Sequence, residues 1–285
     1  MQNKISLGTV QFGLDYGISN PKGKVSFDKV QSIIDSAKEY GIDTIDTASA
    51  YGNSEEVLGK INTRLENSNI ISKFSGSNLT VEEEVKVSLE RLKQKSIYGY
   101  LAHSFNIMSD SVYEQLVTIQ EIGYVEKIGV SLYHPEEVDT IIEKYPKLDL
   151  VQIPYSVFDQ RFNEKLLILS KNNITIHSRS AFLQGLVFMD PLTLPKYLNS
   201  AVDNLKKLRN ISEQYKIPIN ILAFYFVLKN KFINKVVIGV TSKEELEDNI
   251  IGLLNFKINS DIFSKLKDLA IQDENIILPY NWNKK

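Results

Sequence analysis

Short apolar runs recur along the chain and alternate with longer stretches whose apolar residues return every three or four positions, so strand-like and helix-like segments take turns. The runs predict eight strands, over residues 5–12, 44–46, 70–73, 98–103, 127–131, 148–153, 174–178 and 236–238. The amphipathic stretches predict helices over 28–40, 54–62, 81–93, 109–122, 135–144, 163–171, 195–214 and 243–253, with extra ones over 219–229 and 261–272. A βαβα order calls for a parallel sheet with helical crossovers. No linker-like segment, low-complexity tract or long repeat interrupts it, so residues 1–285 read as a single domain. Eight such units in a chain of this length predict an α/β fold, the (β/α)8 TIM barrel, with extra helices near the C-terminus.

Within that pattern four polar residues stand at one end. Asp46 closes the second predicted strand, Tyr51 lies five residues on in a loop, Lys73 closes the third and His103 the fourth. The C-terminal ends of the strands are the catalytic face of a parallel barrel.

Composition narrows the chemistry. With 43% apolar residues, 14 Gly and 8 Pro, the 285-residue chain is ordinary for a globular domain and long enough for a sizeable core. Its 33 basic and 35 acidic side chains leave a net charge of -2, with no positive surplus to draw nucleic acid or an anionic membrane, so a small-molecule partner is expected. No apolar stretch reaches the ~20 residues that cross a bilayer. The lack of Cys excludes disulfides and thiolate chemistry and fits a cytoplasmic protein. His103, His134 and His177 have no paired ligand spacing, and no metal is expected.

Tyr51 can donate a proton near neutral pH if a neighbouring ammonium lowers its phenol pKa from about 10. Lys73 can supply that charge, Asp46 can hold the lysine, and His103 can orient a substrate carbonyl oxygen. Each residue alone has an ordinary reading: a loop tyrosine, an ion pair, a strand-end histidine. Their order and shared placement favour the catalytic one.

Asp46, Tyr51, Lys73 and His103, in this order, resemble the catalytic tetrad of the aldo/keto reductases. Gly8-Thr9-Val10-Gln11-Phe12-Gly13 resembles that family's first strand, and Ile45-Asp46-Thr47-Ala48-Ser49-Ala50-Tyr51-Gly52 with Glu55, Leu58 and Gly59 its second βα unit. The resemblance covers nearly the whole chain. It implies a barrel that binds an extended nicotinamide cofactor at its C-terminal face and reduces an aldehyde or ketone, and it makes a monomer the default. The glycine fingerprint of a Rossmann unit is absent.

The resemblance carries over further positions. Ser131 and Gln152 stand where the family grips the nicotinamide carboxamide, although Leu132 replaces the usual asparagine. In Ser178-Arg179-Ser180-Ala181-Phe182-Leu183-Gln184-Gly185-Leu186, similar to the family's seventh-strand loop, Arg179 takes the place of a tyrosine stacked on the nicotinamide. A planar guanidinium can also stack there. Arg179, Ser180, Phe182, Gln184 and Gly185 are therefore expected at the cofactor. Gly239, Thr241, Ser242, Lys243, Asp248 and Asn249 belong to a segment resembling the family's adenosine phosphate site, where Lys243 favours NADP(H) over NAD(H).

Gln11, Tyr16, Phe105 and Tyr155 are expected to line the substrate pocket, and Phe224, Tyr225, Phe226 and Phe232 to belong to the core. Tyr280 and Trp282 in the carboxyl-terminal segment are expected to dock, either on the pocket rim or on the outer helices. Two other functions fit the same scaffold: a slow, cofactor-binding regulatory module, and a Schiff-base aldolase or isomerase with Lys73 as nucleophile.

Overall fold

In the computed structural model, which describes residues 2–282, the strands are Ile5–Gly8 (β1), Thr44–Asp46 (β2), Asn69–Phe74 (β3), Ile97–Ala102 (β4), Val125–Ser131 (β5), Leu150–Pro154 (β6), Thr175–Arg179 (β7) and Lys235–Gly239 (β8). They pair in parallel and in sequence order, and β8 closes on β1 through the register Gly8↔Gly239. This is the (β/α)8 barrel.

The helices are Val10–Gly13 (α1), Phe27–Glu39 (α2), Ser54–Lys60 (α3), Val81–Leu92 (α4), Asp110–Glu121 (α5), Glu137–Lys144 (α6), Asn163–Lys171 (α7), Val202–Tyr215 (α8), Ile219–Leu228 (α9), Lys243–Asn255 (α10), Ser260–Lys267 (α11) and Glu274–Ile277 (α12). Local chemistry starts several of them. Thr80 and Glu83 form a reciprocal capping box on α4, and the Ser109, Ser242 and Asn259 side chains accept N–H bonds at the starts of α5, α10 and α11.

Three boundaries differ from expectation by more than two residues. The first strand stops at Gly8 rather than residue 12, because Thr9 donates its N–H to the Asp46 carbonyl and the chain turns into α1. The helix expected over 195–214 begins as a separate 3-10 segment, Lys196–Ala201, before α8. The last predicted helix, over 261–272, is the shorter α11, and α12 follows it.

Strands covered on both faces read as continuous apolar runs, and β1, β2 and β6 are buried at every position. Outward side chains join the main core beneath the helices, while Ile71, Leu101 and Leu150 form a separate cluster. Since side chains alternate across a strand, Lys73, His103 and Gln152, two residues further on, project to the same side as these three. All but the first two residues of α9 are buried, which makes Phe224, Tyr225 and Phe226 core; Phe232 packs partly buried against it.

Candidate active site

Strand alternation brings side chains from separate strands together at one barrel end. The registers Gly8↔Asp46, Ser131↔Gln152 and Pro154↔Arg179 keep these strand ends level. Above them opens a cavity of about 820 Å³ whose wall includes Asp46, Tyr51, His103, Ser131, Gln152 and Arg179.

At the floor lies a buried polar chain. Lys73 Nζ donates to Asp46 Oδ1 at 2.7 Å and to the Thr47 carbonyl at 2.8 Å, and Gln152 Nε2 donates to Asp46 Oδ2 at 2.7 Å. Lys73 has 0% of its side chain exposed and does not line the cavity. Burial lowers its pKa, opposed by the Asp46 carboxylate. A Schiff base would require this ammonium to leave both acceptors and enter the cavity, so the geometry does not present Lys73 as a nucleophile.

Tyr51 lies above this chain. Its ring meets the His103 ring edge-on, with centroids 5.5 Å apart, and Lys73 Nζ stands 5.1 Å from its centroid. The expected lowering of its phenol is not observed. Burial raises the Tyr51 pKa, the Asp46 carboxylate adds to the rise, and Arg179 opposes it. Lys73 spends its charge on Asp46 and Thr47. Burial, with help from Lys73 and Arg179, lowers His103 to about 3, so the imidazole is neutral at ordinary pH.

Arg179 Nε donates to Ser131 Oγ at 3.3 Å and Nη2 to the Leu132 carbonyl at 3.1 Å, and the guanidinium carbon lies 4.1 Å from the centre of the Tyr133 ring. The ring stacked on Arg179 is thus a tyrosine of this chain, which the sequence reading did not include. The signal was slight: Tyr133 follows β5 by two residues, just past the Ser131 that it did include.

The loop after β7 folds through left-handed backbone at Ser180 (φ 63°), Leu183 (φ 45°), Gln184 (φ 52°) and Gly185 (φ 95°). Its Gln184 carbonyl accepts from the Ile18 N–H at 3.0 Å, and a Cβ at Gly185 would overlap Ser19 Oγ, so this loop and the one after α1 meet along the cavity.

Ser180, Phe182, Gln184, Gly185, Gly239 and Thr241 also line the cavity. Four other expected cofactor positions do not. Ser242 caps α10 by accepting the Glu245 N–H at 3.3 Å, and Lys243 pairs with Glu247 at 3.4 Å. Asp248 is exposed, and buried Asn249 accepts from Asn220 at 2.9 Å, tying α10 to α9. Helix capping, an i,i+4 ion pair and helix packing thus engage Ser242, Lys243 and Asn249.

Among the expected pocket aromatics and amides, Gln11 and Tyr16 line the cavity, whereas Phe105 and Tyr155 do not. Tyr155 is core: it stacks on Phe226 and donates to Asn163 at 2.7 Å. Pro279 and Tyr280 line the cavity, with Tyr280 edge-on to Tyr133 at 5.3 Å. Trp282 is buried, donating to the Ile276 carbonyl at 3.0 Å. Asn283, Lys284 and Lys285 lie outside the described residues.

Among the described residues no group of three or more His, Asp or Glu side chains is set to hold a metal, and no helix is long and apolar enough to cross a membrane.

One end of this parallel barrel sets Asp46, Tyr51 and His103 on the wall of one large cavity, with Lys73 buried against Asp46 beneath it. The sequence profile of the aldo/keto reductase family matches residues 4–271. The chain belongs to the aldo/keto reductase family, a family of oxidoreductases. It is 26% identical over 273 residues to an uncharacterized oxidoreductase, YqkF, of Bacillus subtilis, spanning 86% of this chain and 89% of that protein. It is 22% identical over 279 residues to an NADH-specific methylglyoxal reductase of Escherichia coli, spanning 82% and 85%. In fold it is similar to the aldo-keto reductase AKR11C1 of Bacillus halodurans in its holo form, with a TM-score of 0.78, 22% identity and coverage of 95% and 93%.

Proposed function

We propose that the protein reduces an aldehyde or ketone to an alcohol with a reduced nicotinamide cofactor, Tyr51 being the proton donor. One observation carries this reading: Tyr51 and His103 stand edge-on at 5.5 Å on the cavity wall, over the buried chain Lys73–Asp46–Gln152.

The cavity has features suited to a dinucleotide. Gln11 and Gln184 each keep a buried side-chain oxygen without a partner at its wall. Gly239 stands on the wall beside the Gln11 amide, with Gln11 Oε1 2.5 Å from where a Cβ would sit, so a side chain there would displace Gln11. Ser131 and Arg179 would hold one end, and Gly239 with Thr241 the other. When bound, the cofactor supplies the hydride that reaches the carbonyl carbon.

The remaining work belongs to this chain. The neutral His103 imidazole orients the carbonyl oxygen through a hydrogen bond. As the C=O π pair moves onto that oxygen, the Tyr51 hydroxyl gives it a proton, completing the alcohol. Burial raises this phenol, so it holds its proton until the substrate oxygen takes it. Arg179, the cation that opposes the rise of the phenol, favours the phenolate left behind, while Lys73, held by Asp46 and Thr47, supports the Tyr51 ring from below.

Mixing the protein with reduced cofactor and a panel of aldehydes and ketones tests the proposal. One cofactor oxidised for each alcohol formed is expected. Tight cofactor binding with no turnover across the panel would contradict it and favour the regulatory module. The reductase of Escherichia coli named for methylglyoxal makes small dicarbonyls natural members of that panel.

A further inference from the structure

At its β8 end the cavity is walled by Gly239, Thr241 and Glu245. Glu245 lies in the first turn of α10, and its two oxygens are both engaged: Oε2 accepts the Thr241 N–H and Oε1 the Thr241 hydroxyl, each at 2.7 Å. These are the donors that an incoming anion at this loop would use. The chain therefore supplies its own anion there.

The charge balance around it points the same way. Two carboxylates line the cavity, Asp46 and Glu245, and Asp46 is neutralised by Lys73. The lysine expected to meet a phosphate, Lys243, is paired with Glu247 and lies off the cavity wall. The cations that do line the cavity are Arg179, held beside Ser131, and Lys22, on the loop after α1. Among the described residues no cation pairs with Glu245, whose carboxylate accepts only from Thr241.

We infer that Glu245 selects the cofactor: its carboxylate accepts hydrogen bonds from an unmodified adenosine ribose and repels a 2′-phosphate, so the protein uses NAD(H) in preference to NADP(H). The inference rests on the nicotinamide-dependent reading above and reverses the preference read from Lys243. Its chemistry is general. A carboxylate pairs well with vicinal ribose hydroxyls, whereas two like charges in contact are repelled, and that repulsion supplies discrimination.

Fluorescence titration with NADH and NADPH, on the full chain and two variants, tests it. The parent is expected to bind NADH at least ~10-fold more tightly than NADPH, with the gap narrowing as salt is raised. Glu245→Gln removes the charge and leaves the shape; it should tighten NADPH about tenfold while moving NADH by less than about threefold. Glu245→Arg should bind NADPH the more tightly of the two. The side chain is exposed, so neither change threatens the fold, and thermal melting checks this. Equal affinities in the parent, a preference there for NADPH, or an unchanged ratio in Glu245→Gln would each overturn the assignment. Binding of neither dinucleotide would overturn it together with the reading beneath it, whereas binding of both without discrimination would leave that reading standing and remove Glu245 alone.

Discussion

Gly13 abuts Tyr51: a Cβ at position 13 would overlap the Tyr51 carbonyl, which also accepts the Ser54 N–H at 3.0 Å. Gly52, at φ +56°, completes the close approach, because a Cβ on it would run into the Gly13 carbonyl. The short helix α1 thus serves as a stop for the loop that carries the proposed proton donor. Gly13→Ala is expected to shift that loop and lower kcat at least ~10-fold, since misplacements near 1 Å are costly to a reacting geometry. Steady-state kinetics with the folded variant checks this, and an unchanged kcat would refute the positioning role.

The Lys73–Asp46 pair separates stability from chemistry. Lys73→Met leaves a buried carboxylate with Gln152 as its remaining side-chain partner, which should cost about 3–5 kcal/mol of stability as well as activity. Replacing both residues, as Asp46→Asn with Lys73→Met, removes the stranded charge and should restore most of the stability but none of the turnover. Urea unfolding and kinetics on the three proteins decide it. Recovered turnover in the double variant would show that the pair serves packing alone.

Acid should weaken the fold through its histidines. Burial holds His177 near 3, Lys235 adding to the effect, and His103 is likewise held near 3. An unfolded histidine titrates near 6.5, so the unfolded chain binds more protons between those values and stability falls as pH drops through that window. At about pH 4.5 the loss is of order 2 kcal/mol or more for each. His177→Leu should remove its share, giving a flatter profile in urea unfolding at about pH 7.5 and 4.5. Equal acid losses in parent and variant would contradict this.

The carboxyl-terminal segment divides its two aromatics between tasks. Tyr280 contacts Tyr133 and lies 3.3 Å from His134 Nε2 at the cavity rim, whereas Trp282 is buried on the Ile276 carbonyl. Tyr280→Ala should raise the KM for a carbonyl substrate with little change in stability. Trp282→Ala should destabilise by about 3–5 kcal/mol and leave the KM of the folded protein alone. Kinetics and melting curves that failed to separate the two would contradict the division.

Much of this was legible in the sequence because strand ends announce themselves: an apolar run closed by Asp46, Lys73 or His103 fixes both the strand and the face of the barrel. Side-chain partnership was not legible. Nothing in the pattern showed that Arg179 would meet Tyr133, or that burial would raise Tyr51 where an adjacent lysine was expected to lower it, because both depend on distances between remote segments. The segment after β8 misled for a local reason. Ser242 and Lys243 read as phosphate ligands, yet helix capping and an i,i+4 ion pair engage them. Glu245 carries no signal of its own in the sequence; the fold places it on the cavity wall.

The most direct test of the central claim is single-turnover hydride transfer in Tyr51→Phe. The variant keeps the ring that faces His103 and Lys73 and loses the hydroxyl, so fold and cofactor affinity should stay nearly as in the parent. Reduction of a carbonyl substrate by cofactor-loaded protein should slow by at least ~100-fold, the scale on which a general acid acts. Equal single-turnover rates in the two proteins would contradict Tyr51 as the proton donor.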